Sequence, residues 1–295
     1  MPTSAGDRYA REDGGNGGRP RLMRLVDSHC HLQAGRFDDD ADAVIAAARR
    51  AGVERLLVPG WNIASSEQAR ELVERHAWID AAAGIHPHDA EKVGEGAYAR
   101  LEELAADPRI VAIGETGLDY DRLFSPAEAQ LANLRRHLQL SLSTGKPLIL
   151  HCRSAAGRRD AQDALLDELR RGGFGGPGLP AVFGSRPPGV LHSFSGPADY
   201  AGAALDLGFA ISISGLAFRR GEAATAEVVP LVPADRLLVE TDAPFLAPPG
   251  APRRRNEPEW VRITAEWVAD RRGDDSTVFG RRLIAAYDHL FAHGR

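Results

Sequence analysis

The sequence predicts a single (β/α)8 barrel of the TIM type, an α/β fold whose functional residues sit at the C-terminal rim of the strands. Three observations carry that expectation. Eight short apolar runs of strand character recur between Leu25 and Thr241. Segments with the period of amphipathic helices lie between them. No glycine-rich phosphate loop follows the first run, which disfavours the open doubly wound sheet, the other architecture with this alternation.

Residues 1–21 read as a disordered, Gly-rich tail, because the stretch Arg11–Pro20 has almost nothing to bury against its ordering entropy. The barrel domain is expected over residues 22–295. Its strands are expected at Leu25–Leu32, Arg55–Trp61, Ile79–His86, Ile110–Thr116, Pro147–Cys152, Gly189–Phe194, Phe209–Ser214 and Leu237–Thr241. Helices are expected at Asp40–Ala51, Ser65–His76, Tyr98–Ala106 and Ala127–Thr144, with Glu257–Arg271 and Thr277–His289 closing the chain. The fourth has a start signal: Ser125 as N-cap, Pro126 in the first turn and Glu128 as capping-box partner. The segment Gly172–Pro188 is rich in Gly and Pro and reads as a long loop that feeds the sixth strand from the rim opposite the C-terminal strand ends.

Composition narrows the function. Hydrophobic residues make up 43% and charged residues 26% of the chain, as in ordinary globular proteins. A net charge of −5 excludes a protein that coats DNA through a broad basic face, but leaves room for a local basic cleft. The two cysteines, Cys30 and Cys152, exclude a disulfide scaffold and suit a reducing compartment. No apolar run approaches the roughly 20 residues of a membrane span, and the first residues hold no secretory h-region. A soluble cytoplasmic protein without a membrane partner is expected, with a monomer as the default.

The chemistry gathers at the strand ends. In Asp27-Ser28-His29-Cys30-His31 the two imidazoles are two residues apart in a strand, so His29 and His31 point the same way. Further strands end in His86 and His88, in Glu115 and Asp119, in His151 and Arg153, in His192, and in Glu240 and Asp242. Six of the 10 histidines therefore fall on one rim, whereas ordinary histidines would scatter over helices and loops. Buried carboxylates and imidazoles need partners, and a metal centre satisfies them together. Nitrogen and oxygen donors without thiolate suit zinc, manganese or magnesium. The candidates exceed what one ion takes, so two divalent ions bridged by a carboxylate are expected, with Glu115 as the bridge.

As a set, these motifs resemble the TatD-type metal-dependent hydrolases (TatD DNases) of the amidohydrolase superfamily. The resemblance runs from about residue 24 to 271 and rests on DSHCHL at 27–32, GIHPHDA at 84–90, AIGETGLDY at 112–120, LHCRSA at 150–155, LHSFSG at 191–196, SISG at 212–215, LLVETDAPFLAP at 237–248 and RNEP at 255–258. It implies a TIM-like barrel and divalent-metal-dependent hydrolysis of DNA, often exonucleolytic. It implies that His29 and His31 are ligands of a first metal and His151 and His192 of a second, with Glu115 bridging. Asp242 would contact the first metal and manage the nucleophilic water, and His86 would lie near the substrate. Relatives that bridge with a carbamylated lysine are set apart, since Lys92 and Lys146 do not end the fourth strand. Three departures stand out. The Gly172–Pro188 segment is longer than the family pattern implies and is expected not to touch catalysis. Pro252-Arg253-Arg254 replaces the family's Arg-Gly-Lys, and Leu283 and Ala286 replace a Thr and an Asn in the last helix.

Other residues carry lesser expectations. Cys30 and Cys152 should face the helix layer as small buried groups. Glu240 shares the face of Asp242 and should orient a ligand, and Asp27, deeper, should pack and hydrogen-bond. His88 and Asp89 are either surface or site. Arg153 meets a phosphate or pairs with a carboxylate. Arg253, Arg254 and Arg255 contact a nucleic-acid backbone or form a solvated loop, and Trp61 stacks on a base or packs at the rim. His76, His137, His289 and His293 fall on expected helices and carry no functional expectation. The leading function is a deoxyribonuclease that uses a two-metal-activated water on single-stranded or frayed DNA, with Arg153 and Arg255 as substrate contacts. The alternative keeps the site but hydrolyses small esters, amides or aminoacyl esters, including aminoacyl-tRNA editing. A binding protein with a purely structural metal is disfavoured, because such sites are closed and usually contain thiolates.

Overall fold

The computed structural model describes residues 23–252 and 254–291. Eight parallel strands pair in chain order: β1 (Leu25–Asp27), β2 (Val53–Pro59), β3 (Ile79–Ala83), β4 (Ile110–Asp119), β5 (Leu148–Arg153), β6 (Gly189–Leu191), β7 (Ala210–Ile213) and β8 (Leu237–Val239). The helices are α1 (Ala41–Arg50), α2 (Ile63–Arg75), α3 (Glu95–Ala106), α4 (Ala127–Thr144), α5 (Asp160–Arg171), α6 (Leu179–Phe183), α7 (Ala198–Asp206), α8 (Ala223–Val228), α9 (Val261–Arg272) and α10 (Ser276–Phe291). The sheet curls until its first and last strands meet. The Ser28 N–H donates to Val239 O at 3.1 Å, Asp242 N–H to His29 O at 2.9 Å, and His31 N–H to Ala243 O at 2.7 Å. This is the (β/α)8 barrel that the alternation predicts. Every residue of β1, β3, β6, β7 and β8 is buried, as strands need when side chains fill one face and helices cover the other.

Most ladders are shorter than the apolar runs that announced them, because the runs continue into rim residues that bond to neighbours irregularly. β1 stops at Asp27, yet Cys30 N–H still reaches Leu57 O at 3.0 Å. β4 does the opposite and runs on to Asp119, pairing Gly117 with His151 and Asp119 with Arg153. Gly117 makes this possible. Its φ is +139°, and a Cβ there would overlap the His151 carbonyl oxygen.

Three local expectations need correction. α2 begins at Ile63, not Ser65, because the Asn62 side chain accepts the Ser65 N–H at 2.9 Å while Ser65 Oγ accepts the Asn62 N–H at 2.9 Å. Ser125 does not cap α4. Pro126 holds the N-cap position without a side-chain bond, and the buried Ser125 hydroxyl instead donates to His88 O and accepts from Glu91 N–H. The hydroxyl satisfies two backbone groups of the β3 rim loop. The segment Gly172–Pro188 is not a plain loop: it contains α6 and buries Phe174 and Phe183, with Phe174 also packed 5.6 Å from the Phe209 ring. Its Gly and Pro content marks the turns but hides the two aromatic anchors. The expected tail at 1–21 lies outside the described residues, as do Arg253 and His293. Among the described residues no helix is long and apolar enough to cross a membrane.

Candidate metal centre

The junction of β1 and β8 places three of the predicted site residues. Asp27, buried beneath them, accepts the Thr241 N–H at 2.9 Å and the Thr241 hydroxyl at 2.6 Å. Asn256 donates to Thr241 O at 2.9 Å and Phe245 O at 2.8 Å, so the RNEP segment pins the loop after β8. Between these anchors Asp242 adopts a left-handed φ of 55°, a conformation Asp tolerates better than most residues. His29 Nε2 and His31 Nε2 then lie 3.2 Å apart, and Asp242 Oδ1 lies 3.7 and 3.5 Å from them. Packing orients the rings: His29 stacks on His192 at 3.9 Å, and His31 meets the Trp61 ring edge-on at 5.2 Å.

Glu115 stands at the centre. Its Oε2 lies 3.3 Å from His29 Nε2 and 3.5 Å from His31 Nε2. Its Oε1 faces His192 Nε2 at 2.9 Å, His151 Nδ1 at 3.2 Å and His86 Nε2 at 3.3 Å. Burial pushes the carboxyl upward, but His192, His86, His29 and His151 outweigh it and hold Glu115 well below the usual carboxylate range.

The outer nitrogens decide which imidazoles present a lone pair. His192 Nδ1 lies 3.2 Å from Glu240 Oε1, and His151 Nε2 lies 3.3 Å from Asp119 Oδ2. A carboxylate only accepts, so these outer nitrogens carry protons; whenever the rings are neutral, the inner nitrogens are the bare ones. His86 is the reverse. Its Nδ1 accepts the His88 N–H at 3.1 Å, which leaves the proton on Nε2, facing Glu115. Burial lowers His86 to about 4 against the pull of Glu115, in keeping with a neutral donor.

Glu115 Oε1, His151 Nδ1 and His192 Nε2 therefore bring three lone pairs within 2.9–3.2 Å of one another. Only a proton or a cation relieves that arrangement. With a proton there, His192 titrates well above an ordinary histidine: burial lowers it, but Glu115 and Glu240 prevail. Donors around one divalent ion lie roughly 3–4 Å apart, which matches the spacings on both sides of Glu115. Three groups of candidate ligand atoms lie within 4.8 Å of one another among the described residues: His29, His31 and Asp242; His29, His192 and Glu240; and His86, Glu115 and His151. Their donors are imidazole and carboxylate. The residues fit divalent ions.

The structure also locates the other sequence candidates. Arg153 is half-exposed and paired with Asp121 at 2.7 Å. The Arg255 guanidinium bonds to Asp40 at 2.7 and 2.8 Å, to Glu257 and to Arg36 O, over the Phe37 ring. Arg254 is exposed. Glu240 contacts His192 and also accepts Ser193 N–H at 2.6 Å. Cys30 is buried beside Ala243, and burial pushes the Cys152 thiol up to about 12.

Asp119 is a strand-end candidate to which the sequence reading gave no role. It is fully buried and holds His151 on one side and His88 Nε2, at 2.7 Å, on the other. Those imidazoles and two backbone N–H groups outweigh its burial and draw it far below the usual range. The signal was present: Glu115, Gly117 and Asp119 alternate along one strand face. Ending the strand at Thr116 concealed it.

Over residues 26–292 the chain matches the family model described as TatD related DNase. It is 37% identical over 276 residues to the 3'-5' ssDNA/RNA exonuclease TatD of Erwinia billingiae (strain Eb661), a match covering 90% of this chain and 98% of that protein. YabD of Bacillus subtilis (strain 168), named an uncharacterized metal-dependent hydrolase, is 35% identical over 246 residues, covering 83% of this chain and 90% of the other. Among solved structures, the TatD homolog YJJV from Escherichia coli k12 matches with a TM-score of 0.80 at 28% identity, covering 92% of this chain and 99% of that one.

Proposed function

The chain belongs to the TatD related DNase family of metal-dependent hydrolases, and on that ground we propose that it is an exonuclease-like deoxyribonuclease working with two divalent ions, magnesium, manganese or zinc. His29, His31 and Asp242 would hold the first ion, His151 and His192 the second, and Glu115 would bridge them. The observation that carries this reading is Glu115 itself. One buried carboxylate sends Oε2 to His29 and His31 and Oε1 to His151 and His192, at 2.9–3.5 Å.

When bound, the ions supply Lewis acidity, lowering the pKa of a water and balancing charge on a phosphoryl group. Asp242 is the site carboxylate most open to solvent, 14% exposed against 4% for Glu115 and 0% for Glu240, so it takes the proton of the attacking water. His86 Nε2–H gives a hydrogen bond to the substrate once a phosphoryl oxygen competes with Glu115. Arg153 exchanges Asp121 for a phosphate at small cost, because an exposed ion pair is worth little. Arg255 would contact the substrate backbone in the same way, exchanging part of its pairing with Asp40 for a phosphate. A net charge of −5 suits a grip on a chain end better than long-range capture of nucleic acid. Residues 22–295 form the hydrolase domain, and the protein works as a cytoplasmic monomer; its two free cysteines suit that compartment.

The test is shortening of a labelled single-stranded DNA by metal-stripped protein, with magnesium, manganese or zinc added back. Stepwise shortening that returns with metal and falls about 100- to 10,000-fold in Asp242→Asn supports the reading. Binding of about two ions without any cleavage would move the substrate to small esters, amides or aminoacyl esters, including aminoacyl-tRNA.

A further inference from the structure

We infer that Phe124 and Phe245 are stacking platforms for the two bases that flank the scissile phosphodiester, and that this pair selects unpaired nucleic-acid ends. The inference rests on the nuclease reading above and names what that site grips. Four large hydrophobic side chains are exposed among the described residues: Leu123, Phe124, Leu231 and Phe245, at 50–60%. The two aromatic ones both stand on rim histidines. Phe124 meets His88 edge-on, centroids 4.7 Å apart, and His88 in turn abuts His86 at 4.2 Å. Phe245 approaches His31 at 6.2 Å, with Trp61 against the same imidazole.

Their places in the barrel are opposite. Phe124 follows β4 and Phe245 follows β8, four strands apart in a ring of eight. A phosphodiester seated at Glu115, between them, sends its two nucleosides to opposite sides. Each side then offers an exposed ring, and stacking on a ring accepts any base. Arg36, 5.7 Å from the Phe245 ring, adds a cation for the neighbouring phosphate.

The backbone supports the same conclusion. Four described non-glycine residues have positive φ: Leu123, Ser193, Asp242 and Leu246. Ser193 and Asp242 belong to the metal centre. The other two are bulky leucines directly beside Phe124 and Phe245, at φ 48° each. A left-handed leucine is costly, persists only where the surrounding structure over-determines it, and is most often found at active sites and ligand clamps. Both turns hold an apolar ring out in solvent, which neither folding nor packing rewards. Bases still paired and stacked in a duplex cannot part to two sides, so the arrangement excludes duplex interior.

The experiment compares the metal-loaded protein with Phe124→Ala, Phe245→Ala and the corresponding Trp variants. The substrates are a single-stranded oligodeoxynucleotide and the same oligomer abasic at its terminal positions. A 2-aminopurine base at the end reports stacking at equilibrium in an Asp242→Asn background, without turnover. Each Ala variant is expected to raise KM for the normal oligomer about ten-fold, to narrow the gap between normal and abasic ends, and to lose part of the 2-aminopurine quenching. Trp should restore all three. Shortening that continues with KM and quenching unchanged in both Ala variants would overturn the inference. DNA left intact by the metal-loaded parent protein would instead overturn the nuclease reading, and this inference with it.

Discussion

At the scale of single residues, the site is organised by what touches the far side of each ring. Glu240 and Asp119 hold the outer protons of His192 and His151, and the inner nitrogens are thereby left free to bind. His86 has a backbone N–H in the corresponding place and so becomes a donor. One atom on the outer edge separates a candidate ligand from a candidate substrate contact. Burial draws Glu240 upward, but His192 and then His29 prevail and hold it at about 2, so it is an anion throughout the useful pH range. Glu240→Ala should therefore weaken metal affinity about 10- to 100-fold, measured by competition with a chromophoric chelator. An unchanged affinity would mean that packing alone orients His192.

At the scale of elements, α4 braces two strand rims at once. His137 Nε2 accepts the Ile85 N–H at 3.0 Å, and Asn133 donates to Ile85 O at 2.7 Å, which fixes the residue before His86. One turn earlier Gln130 accepts the Asp119 N–H at 2.8 Å and donates to Asp119 O and Ser125 O. His137 titrates at about 4 because it is buried, with the Asn133 carbonyl only partly offsetting that. An unfolded chain binds that proton near 6.5. Between those values the unfolded state holds a proton that the folded state refuses, so stability falls as pH drops from about 6.5 to 4. The share of His137 between pH 7 and pH 5 is about 2 kcal/mol. Urea titrations at both values should show a pH dependence smaller by that amount in His137→Gln than in the parent. Equal slopes would show that the imidazole protonates without opening the structure.

At the scale of the whole molecule, the candidate ligands come from the ends of β1, β4, β5 and β6 and from the residue following the β8 rim, so no fragment of the chain assembles the centre. Metal binding is then linked to folding. At about 100 times its dissociation constant, a bound ion adds about 2.7 kcal/mol, or about 5 °C in a chain of this size. Calorimetry with and without chelator measures it. A transition that does not move under conditions of proven binding would mean that the ion also binds the unfolded chain. The barrel also sets the spacing of the two exposed phenylalanines, since β4 and β8 face each other only once the ring is closed.

Much of this was legible along the chain. Parallel strands covered on both faces must be apolar throughout, so eight runs announced the barrel. His29-Cys30-His31 follows from strand alternation alone, and the gathering of histidines at strand ends follows from where barrels keep their sites. The elements, their order and the chemical types on one rim could be read along the chain, because each is written in local periodicity. The partners of those residues came only with the closed barrel. Arg255 meets Asp40 across 215 positions and Asp27 meets Thr241 across 214. Ser125 leaves its own helix for the β3 loop, and Asp119 turns from a strand end into the anchor of two imidazoles. Hydrogen bonds and ion pairs act over about 3 Å of space, whatever the distance along the chain. Local pattern carries no record of them until the barrel closes and brings the rims together.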